Sequence, residues 1–422
     1  MMEREKGLPL MISNTNLSSS SSSVMRVNKN LPDEIMLFKI LPLLPSKTLI
    51  RFRCVCKLWD CFIRDPSFLH LRKLTNNPTH HFLFLSPNQN SSHPFLYGAP
   101  HPNNSIVTTP LRPSILFALP NNLQISETNV QCVNGLLCFY PRSHVSFYSH
   151  ADAFTLIANP TTREIITLPS DNYYSVKANS EFFASTHFGY DPVRDQFKVL
   201  RFLKYQATLQ VKVFTLGRDT SWRLVTAETP FAMLHLENLL SSHGNSSSLC
   251  VNGAIYWRHL DGLLMFDVAA EQFREILVPS GDGSVLGFSL YPDLREIDGC
   301  LCLVGFSNHG LKLWILRDYQ AQLWEHETGD LRAGPKASLA VGPILGDLPP
   351  LYPLCRVPTG EILLLPHYVP TGVERVNFRA IYYDMDTKSS RSAVIMEMPL
   401  TWTTTFREVG IVFCQESFRL LK

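Results

Sequence analysis

Residues 130–140 read VQCVNGLLCFY, two apolar runs on either side of Asn134-Gly135. An Asn-Gly pair supplies the positive backbone φ angles that a two-residue type I′ turn needs, so this segment predicts a β-hairpin. Comparable segments recur along the chain, and each predicts a strand, a two-residue turn and a second strand. They are SLCVNGAIYWRH (248–259), REIDGCLCLVGF (295–306) and CRVPTGEILLLPH (355–367).

A second kind of hairpin alternates with the first. In it a strand enters a turn rich in Asp, Asn, Pro or Thr, and another strand leaves with aliphatic residues two positions apart. The segments of this kind are IANPTTREIITLPS (157–170), FGYDPVRDQFKVLRF (188–202), MFDVAAEQFREILVPS (265–280), LWILRDYQAQLWEHE (313–327) and IYYDMDTKSSRSAVI (381–395). One hairpin of each kind gives about four strands, and the pair recurs every roughly 40 to 60 residues, a spacing typical of β-propeller blades.

The length of the β region limits the number of blades. Residues 81–422 would accommodate seven blades of about 45 residues, but polar stretches such as 86–105 carry no strand pattern. We therefore predict about six blades. The chain contains no Gly-Gly doublet, and its one Trp-Asp pair, Trp59-Asp60, lies outside this region, so neither a standard kelch blade nor a WD40 blade is indicated. An open sandwich of two sheets is the alternative.

A helical pattern precedes the β region. Pro32 suits a first helical turn, and Ile35, Phe38 and Leu41 recur three apart until Pro42 interrupts the run. These positions predict one short helix with its apolar side chains on a common face.

A second apolar stripe follows. Pro45-Ser46 predicts a break and an N-cap, after which apolar residues recur at intervals of three or four along one or two helices. The stripe consists of Leu49, Phe52, Cys56, Trp59 and Phe62. About three helices within residues 31–75 form a unit too small to be stable by itself, so we expect it to need a partner or a neighbouring domain.

Composition argues against several classes of protein. Residues 1–30 are polar and serine-rich, so we predict that they are disordered. No apolar run approaches the roughly 18 residues that span a bilayer, and the first residues lack the apolar core of a secretory leader, so no membrane association is predicted. The expected location is the cytoplasm, the nucleus or both. In such a reducing compartment the ten cysteines are expected to be free thiols.

The charge is unevenly distributed but modest. The formal net charge is +2, and residues 31–75 carry eight Lys/Arg against four Asp/Glu. Arg51, Arg53, Lys57 and Arg64 accompany the second apolar stripe, where a solvated helix face is the expected arrangement. A general nucleic-acid binder would be more basic, so no nucleic-acid partner is predicted.

No motif indicates catalysis, a metal or a cofactor. Cys54-x-Cys56 and Cys300-x-Cys302 have a single intervening residue, whereas structural zinc sites favour roughly two to four. His80-His81 is expected in an exposed loop. The segment GDGSVLG (281–287) resembles a glycine-rich phosphate loop but fits neither common spacing, so we expect a connection between blades. We therefore predict a protein without enzymatic activity.

Residues 31–69 resemble an F-box. The family opens with Leu-Pro, here Leu31-Pro32, and it includes the string R-F-[RK]-C-V-C-K-x-W, here Arg51 to Trp59, before a closing D-P-x-F, here Asp65 to Phe68. The β region resembles the F-box-associated domain of plant F-box proteins through NGLLCFY, ANPTTREIITLPS, FGYDPVRDQFKVL and VNGAIYW. The resemblance and the patterns together predict a multidomain α plus all-β chain. Its parts are a disordered N-terminus (1–30), an F-box (31–75) and a β-propeller-like domain of about six blades (81–422).

The resemblance also implies a function. Known relatives imply that the F-box docks on the Skp1-like adaptor of a cullin-RING (SCF-type) ubiquitin ligase, while the β domain binds a target protein for ubiquitination. The adaptor-binding residues are then expected to be Leu31, Pro32, Ile35, Ile40, Leu41, Leu44, Pro45, Leu49, Val55, Cys56 and Trp59. Two alternatives remain: an F-box-bearing propeller that binds a small molecule or sugar, and an adaptor-binding scaffold outside a ligase.

Overall fold

A helical unit followed by six antiparallel sheets makes up the computed structural model. The residues that it describes are 33–75, 80–86, 94–100, 114–120, 123, 128–141, 154–170, 182–205, 208–226, 248–259, 262–278, 293–307, 310–330, 351–357, 359–366, 376–398 and 411–421. The predicted disordered N-terminus, residues Leu31 and Pro32, and the segment 281–287 lie outside them.

The helical unit consists of four α-helices, one π-helical turn and one 3-10 turn. They are α1 (Asp33–Ile35), a π-helical turn (Met36–Ile40), a 3-10 turn (Leu41–Leu43), α2 (Ser46–Phe52), α3 (Lys57–Arg64) and α4 (Pro66–Leu74). The π-helical turn takes more residues per turn than an α-helix, so the side chains after it rotate out of the α-helical phase. Leu37 and Leu41 are therefore buried, whereas Ile35 and Phe38 are exposed, and the predicted common face is wrong.

The second predicted stripe runs through two separate helices. Leu49 of α2 is buried, and the rings of Phe52 and Trp59 pack together with their centroids 5.3 Å apart, in line with the prediction. Cys56 has an extended backbone at the N-cap of α3, and its side chain is exposed. The stripe therefore omits Cys56, because the chain leaves the helical conformation between α2 and α3.

Each of the six sheets has four strands and forms one blade. Blade 1 contains β24 (Ile411–Gln415), β1 (His80–Ser86), β2 (Phe95–Pro100) and β3 (Ser114–Ala118); blade 2 contains β4 (Thr128–Val133), β5 (Leu136–Pro141), β6 (Leu156–Asn159) and β7 (Glu164–Thr167); blade 3 contains β8 (Phe182–Asp191), β9 (Gln196–Tyr205), β10 (Thr208–Thr215) and β11 (Arg223–Leu224). Blade 4 contains β12 (Leu249–Val251), β13 (Ala254–His259), β14 (Gly262–Asp267) and β15 (Gln272–Leu277); blade 5 contains β16 (Asp293–Ile297), β17 (Cys300–Ser307), β18 (Gly310–Asp318) and β19 (Leu323–Asp330); blade 6 contains β20 (Leu351–Arg356), β21 (Ile362–Pro366), β22 (Val376–Asp384) and β23 (Ser389–Met398).

The blades form a ring, and the six-bladed propeller predicted from the hairpin repeat is confirmed. Strands β24, β4, β8, β12, β16 and β20 are innermost, and each lies beside the next in that order. Apolar clusters fill the space between consecutive blades from blade 1 to blade 6. In blade 1 the C-terminal strand β24 pairs with β1, so the two ends of the propeller sequence meet in one sheet and close the ring.

The first hairpin type is confirmed at three of its four places. The turn residues Asn134-Gly135, Asn252-Gly253 and Asp298-Gly299 all have positive φ angles, as a type I′ turn requires. The fourth, at 355–367, is different: of the described residues in its connection only Gly360 has a positive φ, and β20 and β21 are joined by residues 357–361. Thr359-Gly360 therefore does not form the predicted two-residue turn.

The second hairpin type is confirmed at all five places, and its turns share one geometry. In each, an Asn or Asp side-chain oxygen accepts hydrogen bonds from the backbone N–H groups two and three residues later. The residue four positions later has a positive φ. The pairs are Asn159 and Arg163, Asp191 and Asp195, Asp267 and Glu271, Asp318 and Gln322, and Asp384 and Lys388.

The tight turns of neighbouring blades contact one another at one end of the ring, which we call the turn face. Asn252 donates to the carbonyl of Gly299, Arg356 forms an ion pair with Asp298, and Gly135 lies against Gln415. Strand β24 ends and β1 begins at this face, so the helical unit enters the propeller here. The connections from the outer strand of one blade to the inner strand of the next begin and end at the opposite end, which we call the loop face.

Gly135 offers a test of the turn face. We expect Gly135→Ala to lower the free energy of unfolding by about 2 kcal/mol or more, because φ is +83° and a Cβ would lie 2.6 Å from the carbonyl oxygen of Gln415. Gly299→Ala is the matched control: φ is +72°, but a Cβ would meet nothing within 4 Å, so only the backbone cost of about 1 kcal/mol applies. Equal losses in urea unfolding of the two variants would contradict the close approach at Gly135.

Candidate functional site

The helical unit has a core that includes a residue from the far end of the chain. Leu37, Ile63 and Phe68 are buried together with Phe418, which follows the last strand. The rings of Phe68 and Phe418 lie 5.9 Å apart, edge to face. Leu41 and Leu49 belong to the same core and are fully buried. The helical unit therefore buries part of its apolar surface against the C-terminal end of the propeller.

Apolar side chains that this core does not use form an exposed surface on the helical unit. We use the name apolar surface for Ile35, Phe38, Val55 and Leu58. Leu43 and Leu74 of the helical unit are exposed as well and are not included in it. Leu58 lies one turn before Phe62 on α3, and the ring of Phe62 meets that of Phe38 edge to face at 5.1 Å, which joins the two helices into one patch. Exposed apolar residues that cluster in this way are typical of a protein interface.

The described members of the predicted adaptor-binding set fall into three groups, and Leu31 and Pro32 lie outside the described residues. Ile35, Pro45, Val55 and Cys56 are exposed, and Ile40, Leu44 and Trp59 are half-buried. Leu41 and Leu49 lie in the core, so in this conformation they can support a docking surface but cannot touch a partner.

Two exposed residues of the apolar surface, Phe38 and Leu58, are missing from the predicted set. Phe38 was in the predicted helix stripe, whereas the exposure of Leu58 depends on the break before α3.

Two of the basic residues of the helical unit are paired. Asp60 accepts hydrogen bonds from the side chains of both Arg53 and Arg64. Burial would raise the pKa of Asp60, but these hydrogen bonds and the two positive charges hold it below its ordinary value. Arg53, Asp60 and Arg64 thus form a charged strip on the helical unit. Arg51, Lys57 and Arg64 are exposed, as predicted for a solvated face, but the side chain of Arg53 is only 10% exposed, so the prediction is wrong for Arg53.

Arg72 of α4 fixes the helical unit to the propeller. Its guanidinium donates to the backbone carbonyls of Pro42 and Leu44, at 3.3 and 2.6 Å, and to the hydroxyl of Ser46 at 3.3 Å. It also forms an ion pair of 3.1 Å with Glu416, in which the two side chains are only 2% and 3% exposed. This buried charge pair connects residues 344 positions apart in sequence.

The carboxylate of Glu416 has two further hydrogen-bond partners, one in the helical unit and one in the propeller. The Ser46 hydroxyl donates to it, which replaces the predicted N-cap role of Ser46, since α2 has no side-chain cap. His81 of β1 lies 3.1 Å away, so His81 belongs to a strand and to this cluster, and the predicted exposed loop at His80-His81 is wrong. Burial would raise the pKa of Glu416, but His81, Arg72 and Ser46 lower it below its ordinary value. The carboxylate is thus held in its charged form.

The chain after Glu416 crosses the turn face and is tied to two blades. The side-chain amide of Asn159 donates to the carbonyls of Ser417 and Arg419, and Arg419 forms an ion pair with Asp195 in blade 3. The N–H of Leu421 donates to Glu164. Residues Glu416–Leu421, which we call the C-terminal segment, therefore link the helical unit to blades 2 and 3.

A buried cluster in the propeller combines serine and histidine side chains, as hydrolase active sites do. Its histidine, however, lacks the pKa near neutrality that a general base needs. The hydroxyl of Ser185 is hydrogen-bonded to Nε2 of His187 at 3.0 Å, and that of Ser248 to Nδ1 at 2.8 Å. The indole nitrogen of Trp257 lies 3.2 Å from Nδ1. Burial lowers the pKa of His187 to about 3. A general base works best with a pKa near neutrality, so we assign this cluster a packing role between blades 3 and 4.

Within the described parts of the chain, no three His, Cys, Asp or Glu residues are grouped closely enough to hold a metal ion. Cys302 belongs to the apolar cluster of blades 5 and 6, and Cys300 packs against it. None of the described helices has the length and apolar composition needed to cross a bilayer.

Comparisons with known proteins identify the class. The F-box-like family matches residues 29–73, and the F-box associated beta propeller domain matches residues 74–417, which is more than half of the chain. The protein belongs to the plant F-box proteins that carry a C-terminal F-box-associated propeller.

Individual relatives come from Arabidopsis thaliana. The chain is 28% identical to F-box protein At2g21930 over 432 aligned positions, which cover 98% of both chains. It is 26% identical to F-box protein DOR, with 84% of this chain and 85% of the relative covered, and 26% identical to F-box protein At5g65850, with 86% and 84% covered. The alignment with At2g21930 therefore spans both the helical unit and the propeller of this chain.

Proposed function

We propose that this protein is the substrate-recognition subunit of an SCF-type ubiquitin ligase, acting in the cytoplasm or the nucleus. The F-box, assigned to residues 31–75, docks on a Skp1-like adaptor and through it on a cullin. The propeller, assigned to residues 81–422, binds a target protein. The observation that carries the proposal is an F-box with an exposed apolar surface, anchored by a buried ion pair to a six-bladed propeller.

The docking surface is assigned to the exposed members of the helical unit. Ile35, Phe38, Val55 and Leu58 are exposed apolar side chains, the composition that the core of a protein interface favours. The half-buried residues Ile40, Leu44 and Trp59 flank it, and Leu31 and Pro32 are retained from the family pattern. The buried Leu41 and Leu49 hold these residues in place and make no contact themselves.

The binding site for the target protein is assigned to the loop face. The helical unit and the C-terminal segment occupy part of the turn face, where the connections within the hairpins are short. Connections between blades begin and end at the loop face and comprise more residues, for example 225–248 between β11 and β12 and 331–350 between β19 and β20. Long connections on a rigid scaffold are where recognition residues concentrate.

The chain itself is assigned no chemical step. The one Ser–His cluster described here is fully buried, and its histidine is held neutral. In a receptor subunit the contribution to catalysis is positioning, because the bond-forming groups belong to other subunits. A rigid link between the two domains serves that purpose, since the distance from target to adaptor is then fixed by the fold.

The test of this function is assembly from purified components. The full chain is mixed with a Skp1-like adaptor and a cullin and analysed by size-exclusion chromatography. One complex that contains all three is expected, and separate elution of the chain would overturn the proposal. The full chain is required, because deletion of residues 31–75 would leave Glu416 without Arg72 and Phe418 without Phe68.

A further inference from the structure

Two cysteines meet where the ring closes. The Sγ atoms of Cys132 and Cys414 are 2.7 Å apart, although 282 positions separate the residues in sequence. Cys132 lies on β4 and Cys414 on β24, which are the innermost strands of blades 2 and 1. The distance exceeds the ~2.05 Å of a disulfide bond by less than one ångström, so the two sulfurs can bond after a small movement.

The two strands approach each other at a second point, which shows that the contact is not confined to two side chains. Gly135, just after β4, lies so close to Gln415, just after Cys414, that a Cβ would be 2.6 Å from the Gln415 carbonyl oxygen. The apolar cluster between blades 1 and 2 includes both cysteines, with Cys414 buried and Cys132 half-buried. The ends of the two strands therefore come close to each other in the backbone as well as at the two sulfur atoms.

We propose that Cys132 and Cys414 form a redox-sensitive modification site, at which a peroxide converts the two thiols into a disulfide that fastens the closing strand to blade 2. This site is independent of the adaptor and of the target protein. Both residues are free thiols in the structure, as expected in a reducing compartment, where disulfides are transient.

The chemistry proceeds in two steps. The thiolate of the more accessible Cys132 attacks one oxygen of hydrogen peroxide, the O–O bond breaks, and hydroxide leaves and takes up the proton that Cys132 had released. Cys132 is then a sulfenic acid. The sulfur of Cys414 attacks that of Cys132, the S–S bond forms, the S–O bond breaks, and water departs with the Cys414 proton. Two electrons pass from the thiols to the peroxide, and two water molecules form.

The order of the steps follows from the surroundings of the two sulfurs. Burial raises the pKa of Cys414 well above its ordinary value, and the hydrogen bond from Cys132 raises it further, so Cys414 is a poor first nucleophile. Cys132 is half-buried and meets the oxidant first. Cys414 then needs only to reach the adjacent sulfur.

A cross-link here would change how the ring is held. Among the described strands, β24 pairs in its sheet only with β1, and it is followed directly by Glu416 and the C-terminal segment. The disulfide would add a covalent tie between β24 and blade 2 and would close a very long loop of the chain. Cross-links that close long loops restrict the unfolded chain most, so the oxidised form should resist unfolding better than the reduced form.

The experiment compares the full chain before and after treatment with hydrogen peroxide. We expect a peptide that contains Cys132 linked to a peptide that contains Cys414 in a non-reducing digest, 2 Da lighter than the sum of the two. We also expect Tm to rise by about 5 °C on oxidation and to return after reduction. The rise should be absent in Cys132→Ser and in Cys414→Ser.

Cys300→Ser is the matched control, because Cys300 is half-buried in blade 5 and should leave the oxidation-dependent rise intact. The peptide measurement does not depend on whether a variant is stable, so it decides the matter if a serine variant folds poorly. Absence of the linked peptide in the wild-type chain, under conditions that oxidise the exposed Cys54 and Cys61, would overturn the proposal. So would a rise in Tm that persists in Cys132→Ser.

Discussion

Replacement of Arg72 by methionine is expected to lower the free energy of unfolding by about 3 to 5 kcal/mol. Methionine keeps most of the side-chain volume but removes the charge, so the carboxylate of Glu416 stays buried without its main ionic partner. The carbonyls of Pro42 and Leu44 lose the hydrogen bonds that Arg72 donates to them at the same time. Loss of one partner from a buried ion pair costs far more than loss of an exposed pair, since the remaining charge cannot reach water.

Urea unfolding measures this loss, and the chain offers a matched control. Arg317 pairs with Glu325 on blade 5, where the side chains are 42% and 52% exposed, so Arg317→Met should cost at most about 1 kcal/mol. A double variant, Arg72→Met with Glu416→Leu, should recover much of the loss because no buried charge remains. If Arg72→Met costs no more than Arg317→Met, the buried pair does not anchor the helical unit.

The pH dependence gives a second check on the same pair. The pKa of Glu416 is lowered in the folded chain, so its stabilisation is fully present above the ordinary carboxyl value of 4.5 and is lost as the pH falls through the lowered value. The difference in stability between wild type and Arg72→Met should therefore shrink on acidification below pH 4.5. A difference that stays constant down to pH 3 would argue against an ionised Glu416.

Much of the propeller is readable from the sequence because its turns are determined locally. Asn134-Gly135 can form its type I′ turn without help from distant residues, and the side chain of Asp191 shapes the turn that follows it. Thr359-Gly360 resembles such a pair, but Thr is β-branched and strongly disfavours a positive φ, so the chain there uses a longer connection. Local chemistry therefore predicts where hairpins occur better than how long each loop is.

The anchor of the helical unit could not be predicted in the same way. Only the folded ring brings Arg72 close to Glu416 and Phe418. No spacing in the sequence relates these residues to one another. The exposed apolar surface was predicted in part: Ile35 and Val55 were in the expected set. Phe38 and Leu58 were not, because a π-helical turn and the break before α3 change which side chains point outward.

Leu58→Asp is expected to weaken adaptor binding by about 30-fold or more. Leu58 is 49% exposed on the apolar surface, and a carboxylate there would have to be buried without a partner when the adaptor docks. The substitution should not disturb the fold, because position 58 lies in the first turn of α3, where a negative charge complements the helix dipole. Its Tm should accordingly match that of the wild type.

Calorimetric titration of a purified Skp1-like adaptor into the full chain tests the central claim most directly, with Leu323→Asp as the control. Leu323 is also an exposed leucine, at 61% against 49% for Leu58, but it lies on the outer strand of blade 5, away from the helical unit. The account predicts saturable binding to wild type and to Leu323→Asp with the same Kd, and at least about 30-fold weaker binding to Leu58→Asp. No binding to the wild-type chain, or equal Kd values for all three proteins, would contradict it.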